Sequence, residues 1–191
     1  MIMETLTKSE VALRARELIE HIMSGEVFIH PTDTIYGIGC NATDEKAVKK
    51  VRRLKERNDA PFSVWAPSKD WIRENCVITG EAQQWLEQLP GPQTLILRLK
   101  NKKAVAPNVN PGNGTLGVRM PNHWFHKMVE HLGVPIVTTS ANRSGRKFMT
   151  SIDDLDTEIR NGVRFCVYEG EKRGRPSKIV HLIGEVKVQV R

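Results

Sequence analysis

A short apolar run, Val27-Phe28-Ile29-His30, is stopped by Pro31 and followed at once by Thr32, Asp33, Thr34 and Tyr36, with glycines at two alternate positions, Gly37 and Gly39. Proline has no N–H to give a sheet ladder, so the run reads as a brief buried strand that ends where the polar residues begin. A chain that leaves a sheet into hydroxyls and a carboxylate is opening either a turn or a pocket. Strand ends are where α/β sheets bind ligands, and residues without side chains let backbone or ligand come close. A turn in which Thr and Asp satisfy their own backbone accounts for the same residues, and both alternatives stand at this point.

Length sets the scale around that stretch. The 191 residues suit one domain spanning 1–191, and roughly two-thirds of the unfolded surface is expected to be buried on folding. No apolar run approaches the roughly 20 residues of a membrane span. The first 25 residues are charged and amphipathic, without the apolar core of a signal peptide, so the expected location is cytoplasmic, away from membranes. Cys40, Cys76 and Cys166 are widely spaced and unpaired in sequence, which points to buried free thiols rather than disulfides or a zinc site. A formal charge of +7 favours phosphate-rich partners, nucleotide or RNA, without choosing between them.

Thr7 and Glu10 form a capping-box pattern, and Val11, Leu18, Ile19 and Ile22 continue at helical spacing to Gly25. Thr43 is the expected cap of a second helix, apolar at Ala47, Val48, Val51 and Leu54 and basic at Lys46, Lys49, Lys50, Arg52, Arg53, Lys55 and Arg57. Further strands are expected at 62–66, 94–99, 115–120, 134–138, 163–168, 178–182 and 185–190, the last two as a hairpin about Gly184. Helices are expected from Pro67-Ser68, from Thr79, after Pro121-Asn122, and from Thr150 or Ser151 to near Gly162. The Pro- and Gly-rich segment 105–114 reads as a loop near the site and a candidate lid. Strands and helices interleave without strict alternation, so the fold class is α/β with a mixed, twisted sheet.

Several clusters carry chemical potential. Lys55 and Arg57 leave a helix end together and suit a polyphosphate, although a solvated helix terminus explains them as well. Thr138-Thr139-Ser140-Ala141-Asn142 places hydroxyls and an amide at a strand terminus, but Ser140 lacks any nucleophile-elbow context. Arg119, set among apolar neighbours on a strand, needs an anion, either a ligand carboxylate or an internal Asp or Glu. His123 and His126 stand at a spacing that permits metal binding, but with only His131 as a further ligand nearby they read as surface histidines, and no metal site is assigned. The loop 169–177 is glycine-rich and basic, suited to covering phosphates and equally to solvent.

Taken in order, these pieces resemble the Sua5/YrdC/YciO family. The resemblance rests on Pro31-Thr32-Asp33-Thr34-Ile35-Tyr36-Gly37-Ile38-Gly39, Lys55-x-Arg57, Pro90-Gly91-Pro92-Gln93-Thr94-Leu95, Val118-Arg119-Met120-Pro121, Ser140-Ala141-Asn142-Arg143-Ser144-Gly145 and Ser177-Lys178-Ile179-Val180, and runs from about residue 8 to the end. It implies a single-domain twisted mixed sheet flanked by helices, with an open concave basic surface, in the short form of the family. It also implies a nucleotidyltransferase that joins L-threonine, bicarbonate and ATP, with Mg²⁺, into threonylcarbamoyl-AMP and pyrophosphate. That product would pass to a downstream transferase complex making N6-threonylcarbamoyladenosine in tRNA. By position, Lys55 and Arg57 would bind the ATP phosphates and carry catalysis, with Asp59, Thr115, Ser140, Asn142 and Arg191 also on the ATP side. Thr32, Arg119, Thr138 and Ser177 would hold threonine, Arg119 by its carboxylate. The chain departs from the family at Asn58, where a proline commonly follows the Lys-x-Arg motif, at Trp65, at Lys178 and over Arg146-Lys147-Phe148-Met149. A non-catalytic module of the same fold, binding tRNA or double-stranded RNA through phosphate contacts, is the alternative.

Overall fold

The computed structural model describes residues 2–112 and 114–190. Its strands are β1 (Glu4–Leu6), β2 (Phe28–His30), β3 (Gly37–Gly39), β4 (Ser63–Trp65), β5 (Gln93–Arg98), β6 (Thr115–Arg119), β7 (Ile136–Ser140), β8 (Phe165–Val167), β9 (Lys178–His181) and β10 (Lys187–Gln189). They form a twisted sheet in the order β1-β8-β2-β3-β7-β4-β6-β5-β9-β10. The pairs β1/β8, β8/β2, β4/β6 and β5/β9 are parallel and the others antiparallel, so the sheet is mixed as the interleaving implied. The helices are α1 (Lys8–Leu13), α2 (Ala15–Met23), α3 (Glu45–Lys55), α4 (Lys69–Asn75), α5 (Glu81–Glu87), α6 (His126–Leu132) and α7 (Thr157–Gly162).

Alternation along the strands divides the core in two. Ile29, Val64, Val118, Val137, Cys166 and Val180 point to one face, where Val48 and Val51 of α3, Ile72 of α4, Leu86 of α5 and Ile159 of α7 cover them. Phe28, Trp65, Ile136, Phe165 and Val167 point to the other, against Val11, Leu18, Ile22 and Val129 of α1, α2 and α6. The second set of helices covers β1, β8 and β2 on its face and reaches only one end of β7 and β4, at Ile136 and Trp65. The rest of that face, across β7, β4, β6, β5 and β9, is left for the site.

Local signals decide most helix ends. The Thr7–Glu10 capping box forms, but the first helix is broken at Arg14, whose guanidinium pairs with Glu4 and Glu17. Asp44, not Thr43, caps α3 by accepting from the amides of Lys46 and Ala47, because the Thr43 hydroxyl is taken by Asn41 Oδ1 at 2.7 Å. Gly80 rather than Thr79 is the cap position of α5. Ser151 caps only a 3₁₀ turn, Ile152–Asp154, and Asp156 starts α7. The strand expected at 134–138 instead runs on to Ser140, which puts the hydroxyl cluster on the sheet itself. All three cysteines are buried and free. Among the described residues no helix is long and apolar enough to cross a membrane.

His30 is fully buried in an aromatic column, stacked on Phe125 at 5.7 Å and edge-on to Trp65 at 5.6 Å. Its Nε2 has no hydrogen-bond partner. Burial pushes its pKa down from 6.5 to about 3, so the native imidazole stays neutral while the unfolded one titrates normally. Between those values the unfolded state binds the extra proton, and stability is lost as pH falls. His30→Phe should remove this loss and stabilise the protein relative to the parent by up to about 2–3 kcal/mol near pH 4.5. Denaturant titrations at about pH 4.5 and 7.5 check it, and parallel pH dependence in the two proteins would refute it.

Candidate active site

The open part of the sheet is the floor of a cavity of about 550 Å³. Period-two alternation selects what it displays: Thr115, Gly117 and Arg119 from β6, Ser63 from β4, Thr138 and Ser140 from β7, Thr94 and Ile96 from β5, Ile179 and His181 from β9. Register places these in rows. Ser63 is opposite both Gly117 and Thr138, and Ile96 is opposite both Gly117 and His181, which gives a central row of mostly small residues. Arg119 lies two residues to one side on β6 and Thr115 two residues to the other, roughly 13 Å apart at strand rise. Ser140 of β7 falls on the Thr115 side, paired with Gly37.

The four residues expected to hold threonine are all present in the lining, Thr138 from the central row and Thr32, Arg119 and Ser177 toward the Arg119 side. The Arg119 side chain is 8% exposed and its Nη2 donates to Asp33 Oδ1 at 3.1 Å, while Asp33 Oδ2 accepts from the Asn122 amide at 2.9 Å. The internal acid and a ligand carboxylate are therefore not alternatives: Asp33 orients a guanidinium that still borders the cavity. Thr32 is buried, its hydroxyl donating to the Ile35 carbonyl at 2.7 Å and accepting from the amides of Thr34 and Ile35, so the turn after Pro31 satisfies itself and also forms a wall. Ser177 Oγ lies 2.8 Å from Thr94 Oγ1.

The loop 169–177 is anchored rather than solvated. The Tyr36 hydroxyl donates to the Gly170 carbonyl at 2.6 Å and accepts from the Glu169 amide, and Glu169 in turn takes hydrogen bonds from Trp124 and Lys172 and contacts His123. A Cβ at Gly174 would fall 2.1 Å from the Thr34 carbonyl oxygen, so only glycine lets the loop lie against the turn. Pro176 and Ser177 thereby close one wall, while Arg173 and Arg175 stay exposed. Gly37 meets the expectation of close approach, since a Cβ there would lie 2.8 Å from the His30 ring. Lys178, the departure nearest Ser177, turns away from the cavity and sits over Trp85 at 5.2 Å. Trp65 is buried and donates to His126 Nδ1 at 2.9 Å.

On the other side Arg57, Thr115 and Ser140 line the cavity. Arg57 Nη2 donates to the Pro61 carbonyl at 2.7 Å, and its guanidinium lies 5.3 Å from the Phe62 ring centroid. Thr115 accepts from Asn110 Nδ2 through both Oγ1 and its carbonyl. Ser140 Oγ donates to Asn142 Oδ1 at 2.5 Å. Two expected members stand behind the wall instead of in it. Lys55 is 2% exposed, and its ammonium donates to the carbonyls of Ser140 and Asn142 at 2.6 and 2.7 Å and to Asn142 Oδ1 at 3.3 Å. Burial first, and the charge of Arg57 second, push its pKa down to about 7, while three oxygen acceptors pull toward the charged form. Asn142 is spent on the same turn, its Nδ2 donating to the carbonyls of Arg143 and Arg146. Asp59 is exposed in the turn after Arg57 and does not line the cavity. Arg191 lies outside the described residues.

Sequence reasoning missed several contributors. Ser63 has the right alternation but no partner visible along the chain. Ile179, His181, Ile183 and Gln189 bring the C-terminal hairpin into the wall, and Phe148 of the departing segment adds an aromatic. The surface reading of His123 and His126 does not hold: both are half-buried, engaged with Glu169 and Trp65 respectively.

A family model described as telomere recombination, that of the Sua5/YciO/YrdC proteins, matches residues 20–191. A Methanocaldococcus jannaschii relative, provisionally named a threonylcarbamoyl-AMP synthase, is 33% identical over 178 residues, covering 91% of this chain and 83% of its own. A Pyrococcus abyssi threonylcarbamoyl-AMP synthase is 33% identical over 190 residues, and this chain, 90% covered, spans only 54% of it. The crystal structure of P. abyssi Sua5 complexed with L-threonine superposes with a TM-score of 0.83 at 29% identity, over 95% of this chain and 54% of that one. With the sheet, the motif positions and the family match in agreement, the chain belongs to the Sua5/YciO/YrdC family.

Proposed function

We propose that the protein is a threonylcarbamoyl-AMP synthase, a transferase acting on L-threonine, bicarbonate and ATP. One observation carries this: strand register puts the residues suited to an amino-acid carboxylate and those suited to a nucleotide on opposite sides of one small-residue row, inside a single cavity. The volume falls within the roughly 300–1,000 Å³ of ligand sites. Two arginines border it and no carboxylate does among its described lining residues, which suits anionic substrates. Threonine would set its carboxylate on Arg119 and its other groups on Thr32, Thr138 and Ser177. The nucleotide would lie toward Ser140 and Thr115, with Arg57 on its phosphates and Lys55 and Asn142 fixing Ser140 from behind.

In this reading the threonine amine, carboxylated by bicarbonate with loss of water, presents a carbamate oxygen over Gly117 and Ser63. That oxygen attacks the α-phosphorus as the bond to pyrophosphate breaks. No protein nucleophile is required, because alignment and charge neutralisation supply the acceleration. No carboxylate lines the cavity among the described residues, so a Mg²⁺ would come in with the triphosphate, where it would lower the phosphate charge. The product would pass, in the cytoplasm, to a transferase complex acting on tRNA. The RNA-binding alternative rests on a basic concave surface contacting phosphates, and Arg52 and Lys55, two cations of α3, add nothing to such a surface because they are turned onto internal carbonyls.

The purified protein with ATP, Mg²⁺, bicarbonate and threonine should release pyrophosphate, and omission of any one should stop it. Pyrophosphate release that ignores threonine would overturn the proposal.

A further inference from the structure

Arg52 belongs by sequence to the basic face of α3, yet it is 9% exposed. Its Nε donates to the Asn108 carbonyl at 2.8 Å and Nη2 to that of Val109 at 3.3 Å. From the other side of the guanidinium, Nη1 lies 3.1, 2.9 and 3.2 Å from the carbonyl oxygens of Arg57, Asn58 and Ala60. The plane of the group sits over Phe62, 4.5 Å from the ring centroid.

Two backbone segments are thus gathered on one side chain, and both belong to the cavity. From the first, Arg57, Pro61 and Phe62 line it, and from the second, Asn110. The segments touch each other through the Phe62 amide, which donates to the Val109 carbonyl at 2.9 Å, the same oxygen that Arg52 holds. Asn110 continues the chain of contacts to the Thr115 hydroxyl at 3.0 Å. Residues 57–61 lie outside helix and strand, and Asn108 and Val109 belong to a single 3₁₀ turn, Pro107–Val109, so the carbonyls that Arg52 holds have few regular partners. A planar fork with five N–H donors serves acceptors on two sides at once, whereas an ammonium serves one point.

We infer that Arg52 is a positioning residue for the nucleotide side of the cavity, coupling the turn that carries Arg57 to the segment that carries Asn110. What the cavity binds rests on the synthase reading above, but the mechanical coupling does not.

The test uses the full chain with Arg52→Met and Arg52→Lys, followed by amide hydrogen exchange and by steady-state kinetics. In the Met variant, exchange in 57–62 and in 107–112 should accelerate together, and kcat/KM for ATP should fall roughly 10–100-fold while KM for threonine moves less than about twofold. The Lys variant keeps charge and stem but reaches one segment. It should leave one segment protected, release the other, and show the same split between ATP and threonine. Should the Met variant not fold, the Lys variant alone decides. Equal loss for both substrates, unchanged exchange in both segments, or wild-type kinetics with ATP would overturn the inference. If the parent protein shows no threonine-dependent pyrophosphate release, the synthase reading fails and the exchange pattern still decides the role of Arg52.

Discussion

Arg119→Ala should lower kcat/KM for threonine by about 10²–10³-fold, the scale of removing one partner from a buried, hydrogen-bonded charge pair, and leave KM for ATP nearly unchanged. The substitution does two things, and they are separable. It removes the guanidinium that borders the cavity, and it strands the Asp33 carboxylate at 11% side-chain exposure with one oxygen on the Asn122 amide. A carboxylate left so costs about 3–5 kcal/mol, so the single variant also loses stability. Adding Asp33→Asn removes the stranded charge. The double variant should regain most of the stability and none of the threonine kinetics. Arg119→Lys keeps a charge but not the planar fork that reaches Asp33 and a ligand together, and an intermediate loss is expected. Threonine kinetics that recover along with stability in the double variant would mean Arg119 is structural and the amino acid binds elsewhere.

What the sequence disclosed depended on how local the cause was. Pro31 after an apolar run marks the end of β2 unaided, and the capping box at Thr7 and Glu10 is complete within four residues. Between Thr43 and Asp44 the choice of cap turned on Asn41, whose carbonyl oxygen captures the threonine hydroxyl, a competition that propensity does not register. Seven expected site residues, Thr32, Arg57, Thr115, Arg119, Thr138, Ser140 and Ser177, meet in one cavity, yet nothing in their spacing draws them together. Their convergence follows from strand order, which pairs β4 with β6 and β7 across intervals of roughly 50–75 residues. The same limit hid Ser63. Its alternation is visible, but its neighbours Gly117 and Thr138 are set by register. Helical periodicity misled in one way, because it treats every cation on a polar face as solvated. Acceptors far along the chain draw Arg52 and Lys55 inside, for Arg52 the Asn108 and Val109 carbonyls beside nearer ones in the turn after α3, and for Lys55 residues 85 and 87 positions away.

Lys55→Met is the sharpest discriminator between the role that the resemblance implies and the one that geometry supports. A lysine that grips phosphates directly is a desolvated charge in the empty protein, and replacing it with an isosteric apolar chain should leave stability equal or higher while nucleotide binding is lost. Lys55 instead spends its donors on Ser140 and Asn142, and its own carbonyl accepts from the Ser144 amide at 2.9 Å, so side chain and backbone hold one turn. Without the ammonium, three hydrogen bonds behind the cavity wall are lost at about 1 kcal/mol each, although the Ser140 carbonyl and Asn142 Oδ1 keep the Asn142 amide and the Ser140 hydroxyl, and a loss of up to about 3 kcal/mol corresponds to at most roughly 6–12 °C in Tm for a chain of this length. The Ser140 side chain, whose hydroxyl partner Asn142 Oδ1 is no longer fixed by the ammonium, should then drift, and pyrophosphate release should fall roughly 10²-fold through misplacement. Thermal unfolding and turnover measured on the same preparation decide the matter. A variant as stable as the parent but unable to bind ATP restores the phosphate role, whereas paired losses of stability and rate place Lys55 as the residue that sets Ser140.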